Sequence, residues 1–461
     1  MQAQPVIAII DVGKTNKKLF LFDEQYKIVY ERSARFTETI DEDGDVCENL
    51  VSLRKSVFDS LHDIFGKKEF LVKAVNFSTY GASFVYVDED GHELTPLYNY
   101  LKKYPEDLKK KFYDDYGGEE KFSMQTASPV LESLNSGMQL YRLKYKKPEI
   151  FQRIKYALHL PQYLSYLISS KAYSDITSIG CHTNLWNFNE NHYHEWVYKE
   201  NIVEKLPPVV PSDYVLPASF EGNNFQLGVG LHDSSAALIP YLVSFSEPFI
   251  LISTGTWCIS LNPFNYKQLT LEELKQDCLC YMQYQGMPVK ASRLFAGQEH
   301  ENQVKRISEY FHQNPLRYRT LPFNQEVISN LKKRNGKVSG SPQPPHFSAF
   351  GNRDLAEFSD DEEAYHQLML DIIEQQYAST QLVLKGTDAK RIFVDGGFGK
   401  NSVYMNLLAA AFPHLEVFAA SMAQATALGA ALAIHRSWNK KALPNDIIQL
   451  KYYSLTHNPV I

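Results

Sequence analysis

Short apolar runs separated by compact polar turns recur along the chain, and two of them share one design. Val6–Ile10 is apolar, Asp11 follows, a Gly–Lys–Thr–Asn turn comes next, and Leu19–Phe22 is apolar again. Two strand-length apolar runs around a glycine-bearing turn predict a β-hairpin. The second half repeats the pattern at Phe249–Leu261: an apolar run, a Thr–Gly–Thr turn, another apolar run. Gly13 and Gly255 occupy equivalent places in the two hairpins, which predicts an internally duplicated chain.

Between the hairpins, Leu50–Ile64 carries helical spacing. Lys73–Val87 is strand-like on both sides of Ser78–Ala82, with Asp88–Gly91 as a hairpin turn. Ser133–Leu167 has helical apolar spacing broken at Pro148, and Pro207–Pro217 reads as a loop. Phe225–Gly230 predicts a short strand entering Asp233, with Ser234 or Ser235 as N-cap of a helix over Ala236–Leu242. In the second half Lys332–Ala349 predicts a loop, and Ser359 with Glu362 a capping box. The following helix places Tyr365, Leu368, Met369, Ile372, Gln376 and Tyr377 on one buried face. Arg391–Asp395 is a strand running into Gly396–Gly397, and Asn401 caps a helix over Ser402–Ala411. Ala423–Ile434 is an Ala/Gly-rich helix suited to close packing. Strands and helices alternate in both halves, so the expected class is α/β.

At 461 residues the chain exceeds one comfortable core. Two domains are expected, over residues 1–244 and 245–440, with a tail over 441–461. The net charge of −6, with acids and bases interspersed, argues against nucleic acid as a partner. No stretch approaches the ~20 apolar residues of a membrane span, and the N-terminus shows no secretory signal. Five scattered cysteines, an odd number, suit reduced thiols in a cytoplasm. Monomer and homodimer both stay open.

The chemistry concentrates at the hairpin tips. The first offers backbone amides, a hydroxyl, an ammonium and a carboxylate, a set that can hold a polyphosphate and its Mg²⁺. The amides and Lys14 would face phosphate oxygens, and Asp11 would reach the metal through its waters. A P-loop is excluded, because Ala8 stands where it needs glycine and a strand follows the threonine. Asp233 ends a strand just before a helix N-terminus, whose dipole favours the ionised carboxylate, so it is the natural general base. The bland alternative is a plain helix N-cap. Cys181-His182 with His192 and His194 reads as a loop rather than a zinc site, and Cys278 and Cys280 lack a second pair. Gly228-Val229-Gly230 has Asp233 in the third fingerprint place, which removes a dinucleotide reading.

With both hairpins, the Gly-rich strand end and His232-Asp233 in order, the chain resembles the FGGY carbohydrate kinases of the actin-like ATPase superfamily. It looks most similar to their rhamnulokinase branch, with fuculokinases and xylulokinases as close relations. The echoes are Thr79-Tyr80-Gly81, Leu231-His232-Asp233-Ser234-Ser235-Ala236 and Ser253-Thr254-Gly255-Thr256-Trp257. The resemblance implies two ribonuclease-H-like domains around a cleft, with ATP mainly against the second and sugar mainly against the first. The first phosphate motif then falls on Asp11, Gly13, Lys14, Thr15 and Asn16, and the second on Thr254, Gly255 and Thr256. The adenosine motif falls on Gly396 and Gly397, with Asn401 opening the next helix, and the catalytic aspartate on Asp233. Tyr80, Gly81 and His232 become sugar contacts, and His232 could instead orient Asp233.

Lys14, Tyr98-Asn99-Tyr100 and Gln424 depart from the family pattern, and Gly286–Asn302 yields no assignment. The implied activity is ATP- and Mg²⁺-dependent phosphorylation of a small ketose, L-rhamnulose or L-fuculose, at the C1 hydroxyl. The alternatives are a xylulose, ribulose or glycerol kinase, or a non-catalytic sugar- or nucleotide-binding regulator.

Overall fold

A computed structural model describes residues 3–14, 17–34, 37–335, 348–422 and 424–454. Gln4–Val12 and Lys17–Asp23 form the first hairpin, in register from Val6 opposite Asp23 to Val12 opposite Lys17. Ile28–Ala34 extends it antiparallel, and Phe70–Thr79 pairs parallel on the other side of Gln4–Val12. Strands Asn223–Gly228 and Leu231–His232 then pair with Phe70–Thr79, and Val215–Phe220 forms the outer edge. The central strand is buried on both faces, which is why it reads as an unbroken apolar run. Val6, Ala8 and Ile10 pack toward the helix Leu50–Gly66, while Ile7 and Ile9 pack toward Ala427–Trp438.

The second sheet repeats this plan. Phe249–Thr254 and Cys258–Asn262 make its hairpin, Pro288–Leu294 continues it antiparallel, and Arg391–Gly396 pairs parallel on the far side. Glu416–Ser421 follows in parallel. The first half has three successive antiparallel strands beside parallel ones and the second has four, Cys278–Met282 adding to Pro288–Leu294, so the paired hairpins sit in sheets of one plan. The stretch after Trp438, silent in the sequence, ends in the strand Gln449–Tyr453 against Glu416–Ser421.

The helix Ala425–Ala433 belongs in space to the first sheet. A β-carbon on Gly429 would stand 1.8 Å from the Ala236 carbonyl oxygen, so only glycine allows this backbone contact. Buried Asn76 joins the same parts: its amide donates to the Ala430 carbonyl (2.8 Å), and its oxygen accepts from the Gly230 amide (3.1 Å).

Several local expectations are corrected. Ser133–Leu167 is not all helix, because the strand Tyr156–His159 separates Pro148–Arg153 from Leu160–Ser169 and pairs with Phe84–Val87. The Asp88–Gly91 turn forms, and beyond it Val87 bridges Glu93 and the Leu94 amide donates to the Tyr86 carbonyl (2.9 Å), so the hairpin's return arm is short. Pro207–Pro217 contains Val209–Val210 and the start of the edge strand Val215–Phe220, where Pro217 is tolerated at the sheet margin. The helix after His232 begins at Asp233 itself, so neither Ser234 nor Ser235 is its N-cap.

The expected capping box is displaced by one residue. Asp360 caps by accepting from the Glu363 amide, and Glu363 reaches back to Ser359. Of the face proposed for that helix, Tyr377 is exposed. Lys332 lies in the helix Gln325–Asn335, while 336–347 and Ala423 lie outside the described residues. The helices Leu50–Gly66, capped by Asn49, and Ser402–Ala411, capped by Asn401, match expectation.

Replacing Gly429 by valine should destabilise the protein by about 1–3 kcal/mol or more through overpacking against backbone. A shift of the denaturant midpoint of at least that size is the expected result.

Candidate functional site

The first hairpin brings Asp11 to the end of its strand, opposite Lys18 and beside Ser78 of the parallel neighbour. Its Oδ2 accepts from the Thr426 hydroxyl at 2.7 Å, so the Ala425–Ala433 helix touches the hairpin directly. Gly13 and Lys14 follow in the turn, while Thr15 and Asn16 lie outside the described residues. The Lys14 ammonium lies 3.5 Å from Glu48 Oε1 and 5.4 Å from the ring centres of both Tyr80 and Tyr100.

Asp233 opens its helix after His232, whose backbone is extended (ψ 134°). Its Oδ1 accepts from the Ser234 amide (2.6 Å) and hydroxyl (3.2 Å) and lies 3.3 Å from His232 Nε2. Every recorded contact of this carboxylate uses Oδ1, and 30% of the side chain stays open to solvent, so Oδ2 is available to a ligand. His232 Nε2 also meets the Cys181 thiol at 3.2 Å, and a β-carbon on Gly81 would come 2.7 Å from the His232 ring. Gly81 thus makes room for the histidine. Tyr80 is buried, and of Tyr98–Tyr100 only Tyr100 joins the cluster, because Tyr98 turns to Glu42 and Asn99 to the Val46 carbonyl.

In the second hairpin Gly255 and Thr256 are exposed, but Thr254 is spent on structure. Its hydroxyl donates to the Asp395 carbonyl (2.5 Å) and accepts from the Phe398 amide (3.0 Å). Gly396 takes φ +88°, and a β-carbon there would lie 1.9 Å from the Thr254 carbonyl oxygen. Gly396 and Gly397 are exposed beside this knot. Asn401 is buried, its oxygen capping Tyr404 (3.0 Å) and its amide donating to the Tyr365 hydroxyl (2.7 Å), so its side chain acts within the protein.

The two halves meet behind these groups. Tyr281 stacks on His232 with ring centres 5.9 Å apart, and the Ser235 hydroxyl donates to the Met282 carbonyl at 2.8 Å. Arg293 is held by both oxygens of Asp277 and lies 5.3 Å from the ring centre of Trp257, next to Thr256. A groove of about 550 Å³ lined in part by Lys73, Pro217 and Trp438 holds none of these candidates.

Models of two domains match the chain. The N-terminal domain of the FGGY family of carbohydrate kinases matches residues 6–234, and the FGGY carbohydrate kinase C-terminal domain matches 246–442. The chain belongs to the FGGY family. A rhamnulokinase of Halalkalibacterium halodurans is 23% identical over 270 residues, 54% of each chain, so the match spans about half the length of this curated relative. A carbohydrate kinase structure from Novosphingobium aromaticivorans superposes with TM-score 0.80 at 21% identity, over 98% of this chain and 94% of that one. A xylulose kinase from Lactobacillus acidophilus gives TM-score 0.75 at 18% identity with the same coverage. These likenesses establish the two-domain, actin-like α/β fold.

Within this cluster of candidate residues, burial governs the charges. Burial raises Asp11 to about 6, with the Asp233 charge adding to the rise and the Thr426 bond opposing it. Burial likewise raises Asp233 to about 6 against the Ser234 bonds, so desolvation outweighs the helix-dipole effect expected from the sequence. His232 is driven down to about 4 by burial and is neutral at pH 7. The suspected zinc ligands do not converge. Cys181 faces His232, His182 Nδ1 meets the Leu134 carbonyl, His194 meets Gln125 and His192 meets Glu190.

Sequence reasoning missed Thr426, Glu48, Cys181 as the neighbour of His232, and Arg293. Arg293 sits in the unassigned Gly286–Asn302 stretch, and Glu48 is indistinguishable in sequence from any acid preceding a helix. No local signal pointed to Thr426.

Because folding raises the Asp233 pKa, the native state keeps that proton up to about pH 6, the unfolded chain only to 3.8. The contribution to stability is complete below the unfolded value and lost as pH rises through about 6. Asp233→Asn should therefore be more stable than wild type by about 1–2 kcal/mol near neutral pH, allowing for partial exposure. The advantage should vanish toward about pH 4 in thermal melts across pH.

Proposed function

We propose that the chain is an ATP-dependent kinase of a small ketose, L-rhamnulose or L-fuculose, acting at the C1 hydroxyl. The observation that carries this reading is Asp233: a rigidly held carboxylate with one oxygen tied to Ser234 and the other open. Likeness to rhamnulokinases supports the choice of sugar. The departure of Tyr98-Asn99-Tyr100 from the family pattern, with Tyr100 beside Tyr80, favours a second reading, a xylulose, ribulose or glycerol kinase.

In the proposed reaction, Asp233 Oδ2 takes the proton of the acceptor hydroxyl as its oxygen attacks the γ-phosphorus. The bond from that phosphorus to the β–γ bridging oxygen breaks, and ADP leaves. The Gly255 amide already donates to the Trp257 carbonyl (2.8 Å), so exposed Thr256 and the turn at Gly13 would hold phosphates, and Gly396–Gly397 leaves backbone room for the nucleoside. Asp11 and Asp233 are both raised by burial, and Asp11 further by the Asp233 charge, a strain that a divalent cation would relieve, so Asp11 fits Mg²⁺ held through water. When bound, that ion neutralises phosphate charge. Neutral His232 keeps Asp233 aimed, and Tyr80 and Tyr100 wall the acceptor side.

ADP release measured against L-rhamnulose, L-fuculose, L- and D-xylulose, L- and D-ribulose and glycerol should single out one of the first two. A pentulose or glycerol standing above them selects the second reading, and no turnover with any acceptor defeats both. With the best sugar, Asp233→Asn should lower kcat by at least ~10²-fold while ATP still binds. The wild-type rate should fall as pH drops through about 6, where Asp233 gains its proton.

A further inference from the structure

Glu48 is an unusual acid for its position. It is 3% exposed, and no described donor reaches its oxygens in good hydrogen-bond geometry, the Tyr80 phenol being the polar group that faces them. Its nearest charges are two ammonium groups from the first phosphate hairpin, Lys14 at 3.5 Å and Lys17 at 3.3 Å. An acid so buried without close donors is costly unless cations neutralise it.

The two lysines differ in placement. Lys17 begins the second strand of the hairpin and is 11% exposed, whereas Lys14 lies in the turn itself, 34% exposed, between the rings of Tyr80 and Tyr100. Tyr100 is close enough to Asp233 and Glu48 for both acids to raise its phenol, after burial. Lys14 therefore stands between the turn that would hold phosphate and the wall of the acceptor side. The Glu48 contact, longer than a normal hydrogen bond, holds the ammonium near its place without occupying all its donors.

We propose that Lys14 is the cation that meets the γ-phosphoryl group on its acceptor side, and that Glu48 is the positioning residue that holds it there. Glu48 touches no ligand in this scheme; it sets where the Lys14 ammonium waits. The scheme rests on the kinase reading, so its test uses binding without any sugar. Affinities for ADP and for the non-hydrolysable imido analogue of ATP are compared by titration calorimetry.

Lys14→Met and Glu48→Gln should each weaken the imido analogue about tenfold, the effect of one charge-assisted hydrogen bond. Each should leave ADP within about twofold, and the double variant should be no weaker than either single one. Glu48→Asp, which keeps the charge on a shorter arm, should fall between. Equal losses for ADP and the analogue, or losses that multiply in the double variant, overturn the proposal. A lowered melting temperature with both affinities intact also overturns it, by showing Glu48 to be a structural anchor of the hairpin. A chain that phosphorylated no sugar would leave these binding results readable.

Discussion

The contact of Gly429 with the Ala236 carbonyl is the constraint on which the rest of the site depends. It allows the Ala425–Ala433 helix to lie directly on the helix that begins at Asp233. The same helix supplies Thr426 to Asp11 and, through Asn76, is bonded to the strand ends of the first sheet. Two acids from distant parts of the sequence thereby share one neighbourhood, close enough for the Asp233 charge to raise Asp11. A protein held together only by its two sheets would have no reason to place them so.

That neighbourhood is electrostatically expensive, and the expense is useful. Carboxylates that burial raises toward neutrality are poor at remaining charged and good at taking part in proton transfer near physiological pH. The surrounding groups keep the site from collapsing into a neutral one. His232 is uncharged, the thiol of Cys181 is held well above its usual range by burial, and the positive charge acting on Asp11 comes from Lys18 across the hairpin, while Lys14 and Arg293 are paired with Glu48 and Asp277. Charge is arranged around the acids rather than paired with them.

Both hairpins were legible because their strands are buried on two faces and so read as uninterrupted apolar runs, punctuated by glycine. Asn401 was legible as a cap from its place just before a helical run. What escaped was set by contacts far apart in the chain. The strand Tyr156–His159 hides in a helical pattern because its pairing with Phe84–Val87 overrides local spacing. The cap at Asp360 and the start at Asp233 each moved by a residue or more because neighbouring polar side chains compete for the same amides. Asp233 was found from its place between strand and helix, but its pKa could not be, since burial arises from the second sheet and the C-terminal helix. Glu48 and Thr426 matter only through what they touch.

The bond between Asn76 and Ala430 spans 354 residues. Until that late helix leaves the ribosome, the face formed by Ile7, Ile9, Ala74 and Leu231 is covered in part by Ala236 and Ile239 of the helix that begins at Asp233, and the rest stays open. The nascent chain must therefore carry a sticky, half-finished sheet through most of its synthesis. Exposed apolar surface of this kind favours aggregation during folding, and truncation before Ala425 would leave that face half covered.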